Sequence, residues 1–212
     1  MYININKNKL MNSPQIKYKL IIFDFDNTLC NINTFVLKIK LEDINKNNKT
    51  IIVHGIIKHI SSLFNDYNDL TRIFANLKNI GVKLSIASFG NLDVISKILE
   101  IAFPNLFDYI LTPDNIDKET NMHIIKNSRY IVDLNCSKMY GKNIMIQTIM
   151  KKCNITNPTN VLFLDDDYNN VNCSLSMEID SYNNTIFGIT AQLLIDLIYR
   201  KRSDIKCYKL YK

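Results

Sequence analysis

Two aspartates spaced one apart, Asp24 and Asp26, close an apolar run in the stretch Ile21-Ile22-Phe23-Asp24-Phe25-Asp26-Asn27-Thr28-Leu29. If the run is a buried strand, residues two apart share a side, and both carboxylates emerge together where the strand frays into a loop. Side by side at the end of a core strand they repel each other and resist desolvation. A divalent cation and a proton-transfer role would account for that cost. The plainer alternative is a strand that ends in an Asp-rich turn. Polar chemistry ends two further apolar runs. Lys83-Leu84-Ser85-Ile86-Ala87 stops at Ser88, followed by Phe89 and Gly90, and Val161-Leu162-Phe163-Leu164 stops at Asp165-Asp166-Asp167. Between them Lys142 opens a segment of helical periodicity.

Together these positions resemble the four motifs of the haloacid dehalogenase (HAD) superfamily of phosphohydrolases. They are Asp-x-Asp-x-Thr after a strand (Asp24, Asp26, Thr28), a strand-ending Ser or Thr (Ser88), a Lys (Lys142) and a strand-ending acidic pair (Asp165, Asp166). Order and spacing agree from Ile21 to about Val171. The acidic pair followed by Asn170 is most similar to the form found in small, minimally capped magnesium-dependent phosphatases.

The resemblance implies a role for each residue. Asp24 would be the nucleophile, attacking phosphorus to form an aspartyl phosphate. Asp26 would protonate the leaving oxygen and then deprotonate water, a contribution of ~10²–10⁴-fold, and Thr28 would fix the loop. Ser88 and the main-chain amides of Phe89 and Gly90 would bind phosphoryl oxygens, the glycine letting the backbone come close. Lys142 would neutralise charge in the transition state, with Lys138 as its rival for that role. Mg²⁺, which favours hard oxygen ligands, would be held by Asp24, the main-chain carbonyl of Asp26 and Asp166. Asp165 would either ligate it or act from behind. Asp167 would face solvent, and Asn170 would orient the lysine or an aspartate.

These residues need a frame. Lys19–Phe25, Lys83–Ala87, Tyr109–Leu111, Val161–Leu164 and Thr185–Gly188 read as strands, with a short one at Ile51–Val53 and a hairpin arm at Arg129–Val132. Helical spacing joins Leu70, Ile73, Phe74 and Leu77 before Gly81, a C-cap signal. It returns at Leu92, Ile95, Ile98, Leu99 and Ala102, at Met145, Ile146, Ile149 and Met150, and at Leu194, Leu197 and Ile198 behind a Thr190 cap. Strands alternating with helices predict an α/β fold, a doubly wound (Rossmannoid) three-layer sandwich on a central parallel sheet. In such sheets ligands bind beyond the C-terminal strand ends, where Asp24, Ser88 and Asp165 all fall. Residues 1–18 read as a polar lead-in, 19–200 as the phosphatase domain and 201–212 as a basic tail. The spacers from Thr28 to Ser88 and from Ser88 to Lys142 leave room for a minimal cap or none. An open site would admit large phosphoesters.

Composition narrows the function classes. Of 212 residues, 47% are hydrophobic and 22% charged, as in globular proteins. No apolar stretch reaches bilayer length, and the first residues lack a signal-type core, so a cytoplasmic location is expected. Cys30, Cys136, Cys153, Cys173 and Cys207 form no Cys-x-x-Cys pair, and His54, His59 and His123 are isolated, which argues against a zinc site. Cys136 lacks the Arg and Gly-rich loop of a cysteine-based phosphatase. The net charge of +6 suits a polyanion, but the lysines are dispersed as compositional bias would place them, so support for nucleic acid is weak. The expected function is a Mg²⁺-dependent phosphomonoesterase acting on a phosphorylated substrate, macromolecules included. The alternatives are a phosphatase of polynucleotide ends and a catalytically silent HAD-like binding protein, the latter disfavoured because every motif residue is present. Dehalogenation would leave Asp26 without a use.

Overall fold

The computed structural model describes residues 16–116 and 142–199. Eight strands lie among them: β1 (Leu20–Phe23), β2 (Ile44–Asn45), β3 (Thr50–Val53), β4 (Ile56–His59), β5 (Lys83–Ala87), β6 (Tyr109–Leu111), β7 (Val161–Asp165) and β8 (Asp180–Asn183). The α-helices are α1 (Tyr67–Asn79), α2 (Leu92–Ala102), α3 (Asn143–Lys152), α4 (Tyr168–Leu175) and α5 (Ala191–Tyr199). The main sheet has the order β6-β5-β1-β7-β8, and every pairing in it is parallel. β1 is therefore the middle strand. The chain winds outward from it first through β5 and β6, then through β7 and β8, giving the expected doubly wound α/β sandwich.

Period-two geometry explains why β1 and β7 are apolar throughout. Ile21 and Phe23 face one core with Leu162 and Leu164, while Leu20 and Ile22 face a second core with Val161 and Phe163. Strands buried on both faces read as continuous hydrophobic runs. The first core is closed by α1, α2 and α5 and is rich in rings: Phe23 meets Phe74 at 5.6 Å, Phe74 meets Phe103 at 5.3 Å, and Phe103 meets Phe64 at 4.7 Å. The second is closed by Ile144, Met145, Ile146 and Ile149 of α3.

The helix boundaries follow local chemistry. The Asn91 side chain accepts from the Val94 N–H at 3.0 Å and starts α2. Thr190 caps α5 by accepting from the Leu193 N–H. α1 ends in a Schellman turn: the Val82 N–H donates to Leu77 O and the Gly81 N–H to Lys78 O, with Gly81 at φ 87°.

Several elements differ from the sequence reading. The last strand is Asp180–Asn183, not 185–188, where Ile186 and the 69% exposed Phe187 stand on a turn. β8 is polar because side chains satisfy it: Asp180 accepts from Lys17 and from the Tyr18 hydroxyl, and the Ser181 and Ser174 hydroxyls lie 2.6 Å apart. The same contacts bring the end of the expected lead-in into the domain, since Tyr18 is buried. β1 is shorter than Lys19–Phe25. The short strand expected at Ile51–Val53 is β3, and it is joined by β2 and β4, which the sequence reading did not mark, in an antiparallel sheet whose last strand is wholly exposed. Its Ile51 and Val53 enter the first core, and Lys46 pairs with Glu100 of α2. Among the described residues, none from 41 to 59 lines the cleft above the main sheet, so this sheet widens the body and does not cap it. The hairpin arm at Arg129–Val132, the tail from 201, and Lys138, Gly141, Cys136, Cys207 and His123 lie outside the described residues. No described helix is long and apolar enough to cross a membrane.

One polar clamp joins α1 to the sheet. Asp108 accepts from Lys78 Nζ at 2.8 Å, Leu84 N–H at 3.0 Å and Lys83 Nζ at 3.2 Å. Burial raises its pKa, but these donors outweigh burial and hold the carboxyl below its ordinary value. A depressed folded-state pKa contributes stability above the unfolded value of about 3.9, lost as pH falls through the folded value. Asp108→Asn should therefore cost ~1–2 kcal/mol at neutral pH, and the gap from the parent should close in more acid solution. Urea unfolding at pH 7 and pH 3 measures both.

Candidate active site

Strand register brings the acids together. Phe23 pairs with Leu164, so the next residues, Asp24 and Asp165, leave adjacent strands side by side, and the Asp24 N–H donates to Leu164 O at 2.8 Å. Asp26 arrives by another route. β1 stops at Phe23, and residues 25–29 form one wide turn closed by the Cys30 N–H on Phe25 O, with Asn27 left-handed at φ 58°. Asn tolerates that conformation better than most residues. The turn, and not the strand pleat, aims Asp24 and Asp26 into one open cleft of about 310 Å³. Ser88, Phe89, Gly90, Lys142, Asp165, Asp166, Asp167 and Asn170 line the same cleft, joined by Asn33 and Phe35.

Lys142, the residue before α3, is 2% exposed. Its ammonium lies 2.6 Å from Asp24 Oδ1 and 2.7 Å from Asp165 Oδ2. Burial pulls its pKa down, but the charges of Asp165 and Asp24 outweigh that, so it stays a cation well above the ordinary lysine value. Asp165 is completely buried and accepts from Lys142, the Asp167 N–H at 2.8 Å and Asn170 Nδ2 at 3.2 Å. Burial pushes its carboxyl upward and the Lys142 charge works against that rise. Asp166 is more open. It accepts from Asn27 Nδ2 at 3.2 Å and Thr28 Oγ1 at 3.3 Å, and is raised by burial and by the neighbouring Asp24 charge. Asp167 is exposed and caps α4 through the Asn169 N–H.

Asp26 is held differently. Its Oδ1 accepts from the Thr34 N–H at 2.8 Å and the Thr34 hydroxyl at 2.7 Å. Burial raises its pKa, and these bonds moderate the rise. Ser88 is buried at the end of β5, and its Oγ accepts from the Gly90 N–H at 3.3 Å. A Cβ on Gly90 would come within 3.2 Å of Asp26 Oδ2 and 2.9 Å of Ile95 Cδ1, so a larger residue here would crowd both side chains.

One carboxylate oxygen each from Asp24, Asp165 and Asp166 lies within 4.8 Å of the others. Three hard oxygens at that spacing fit Mg²⁺. Of the four residues expected around the ion, Asp26 contributes no carboxylate to this group. Thr34 holds its Oδ1 instead, and the role expected of Asp26 at the ion is that of its main-chain carbonyl. Sequence reasoning missed Thr34, Asn33 and Phe35. It also missed Asn183, whose Nδ2 donates to Asp166 O at 2.9 Å. None of them sits in a periodic or motif position that would have marked it.

No protein-family model matches the chain and no curated protein matches it. A comparison with solved structures finds partial likenesses of chain path. The N-terminal part of protein BF1531 from Bacteroides fragilis, containing a phosphatase domain complexed with Mg, is 16% identical over 92% of this chain and 43% of that one, with a TM-score of 0.48. A predicted phosphoglycolate phosphatase from Haemophilus somnus is 14% identical over 82% and 88%, also at 0.48. The 3-deoxy-D-manno-octulosonate 8-phosphate phosphatase from Moraxella catarrhalis, in complex with magnesium, phosphate and KDO, is 14% identical over 74% and 62%, at 0.38. The chain thus spans less than two thirds of the Bacteroides and Moraxella proteins. These are likenesses of chain path between sequences that share few residues.

Removing the central cation leaves two carboxylates facing each other in a buried site. Lys142→Ala should lower stability by ~3–5 kcal/mol, the cost of breaking a buried ion pair from one side. Lys142→Met combined with Asp165→Asn should recover part of that loss. Chemical denaturation of the two variants beside the parent tests the arrangement.

Proposed function

We propose that the chain is a magnesium-dependent phosphomonoesterase working through an aspartyl phosphate on Asp24. The observation that carries this reading is the Asp24 carboxylate at the floor of an open cleft, bound by the buried Lys142 ammonium, with a second carboxyl, Asp26, fixed separately by Thr34. A lone surface acid could not keep a nucleophile's orientation. Here register, ion pair and turn all restrain it.

Asp24 attacks phosphorus. The new bond joins a carboxylate oxygen to phosphorus, and the bond from phosphorus to the ester oxygen breaks. Asp26, whose raised pKa favours the acid form, gives its proton to the departing oxygen. In the second half Asp26, now ionised, takes a proton from water as that water attacks phosphorus, releasing inorganic phosphate and restoring Asp24. Ser88 and the amides of Phe89 and Gly90 hold phosphoryl oxygens. Lys142 holds Asp24 in place through their ion pair and opposes charge on the transferring group. Asp24, Asp165 and Asp166 would hold Mg²⁺, which supplies charge neutralisation of the phosphoryl oxygens when bound.

Asp24→Asn should abolish turnover of an aryl phosphate while circular dichroism stays unchanged. Excess chelator should silence the parent, with Mg²⁺ restoring it. Activity that persists in the folded variant would rule out the phosphoaspartate route, and full activity in chelator would rule out the cation. Thr34→Val removes one of the donors that stabilise ionised Asp26, so the Asp26 pKa should rise further. The alkaline limb of kcat/KM, set by Asp26 as the acid that protonates the leaving oxygen, should then move to higher pH, as a pH–rate profile would record.

A further inference from the structure

The charge of the cleft and the composition of its rim bear on what the phosphate is attached to. Among the described residues, five carboxyl groups line the cleft, Asp24, Asp26, Asp165, Asp166 and Asp167, against one ammonium, that of Lys142, an acidic excess even with Asp26 in its acid form. That ammonium is already bound between Asp24 and Asp165. Mg²⁺ and a phosphoryl dianion carry opposite charges of equal size and leave the acidic excess in place. Among the described residues, no further cation lines the cleft to receive a second phosphate or a carboxylate on the leaving group. Like charges at short range in a partly desolvated site repel strongly.

The rim offers apolar surface instead. Phe35 is 71% exposed and Phe89 38%, and both line the cleft. Single exposed rings are ordinary on protein surfaces, so what matters is where these stand. Phe35 directly follows Thr34, whose N–H and hydroxyl both bind the Asp26 carboxylate. The group that hands a proton to the leaving oxygen is thus clamped one residue from this ring, and whatever is bonded to that oxygen must lie near it. Phe89 belongs to a different loop, and Lys142 Nζ sits 5.3 Å from its ring centroid, a cation–π distance that helps fix the ring.

We infer that the site takes phosphomonoesters of uncharged apolar or aromatic alcohols and turns away leaving groups that carry a second anion, with Phe35 as the specificity-determining residue. This rests on the phosphatase reading above. Non-hydrolysable probes separate the two. Calorimetric binding of phenylphosphonate, methylphosphonate and phosphonoacetate to the full chain with Mg²⁺ should rank them in that order. Phenylphosphonate should lead methylphosphonate by ~5-fold, the scale of one aromatic contact. Phe35→Ala should bring that ratio close to one, and Phe35→Tyr should restore it. Equal binding of phenyl and methyl probes, tightest binding of phosphonoacetate, an unchanged ratio in Phe35→Ala, or no binding at all would each overturn the inference. Hydrolysis of phenyl phosphate is followed in parallel. A phenyl preference without hydrolysis removes the phosphatase reading and keeps the specificity, whereas hydrolysis without a preference removes the specificity alone.

Discussion

A buried ammonium between two buried carboxylates is the interaction on which this molecule depends. Asp24 and Asp165 leave neighbouring parallel strands at matching heights, so the sheet alone would force two negative charges together in a poorly solvated place. Lys142 answers both at once, at 2.6 and 2.7 Å. Because Lys142 immediately precedes α3, and α3 closes the second core, the same contact ties the helix layer to the strand ends. The polar centre and the apolar packing are not separable. Shifting α3 along the sheet would strand the charges, and losing the charges would remove what fixes its start.

The parts of the fold that could be read from sequence are those whose physics is periodic. β1, β5 and β7 announce themselves as apolar runs because helices cover both faces of the sheet, and α1, α2 and α5 through spacing and caps. β8 is hidden because Asp180 and Ser181 meet their obligations through side-chain partners, which leaves no hydrophobic signature. β4 is hidden because it is exposed along its whole length. At the site, Asp24, Ser88, Lys142, Asp165 and Asp166 were visible as strand-end or helix-start residues, and the structure gathers them round one cleft. The grip of Thr34 on Asp26 was invisible, since a bond made across an irregular turn follows no repeat.

Charge gives a second contrast between the whole and the part. The chain carries a formal +6, which on its own suggests a polyanionic partner. The cleft is the reverse: acidic at its floor, aromatic at its lip, and supplied among the described residues with one cation that is already engaged. Global charge governs long-range attraction, whereas recognition at the reacting centre is set by the few groups within contact. Here the two point in different directions, and the local one has the stronger claim on chemistry.

The central position of β1 has a consequence for how the chain comes into being. Its Leu20 pairs on one side with Lys83 and on the other with Val161. During synthesis β5 is made first, while β7 follows only after α2, β6 and α3. Until then the most hydrophobic strand has one open edge, the kind of surface that invites pairing with other chains. Long-range parallel pairing also closes slowly, because loop entropy must be lost before its contacts form. The nascent protein therefore carries its aspartates without their lysine and its central strand without its second neighbour. It is in that interval, rather than in the finished fold, that a chaperone would have most to protect.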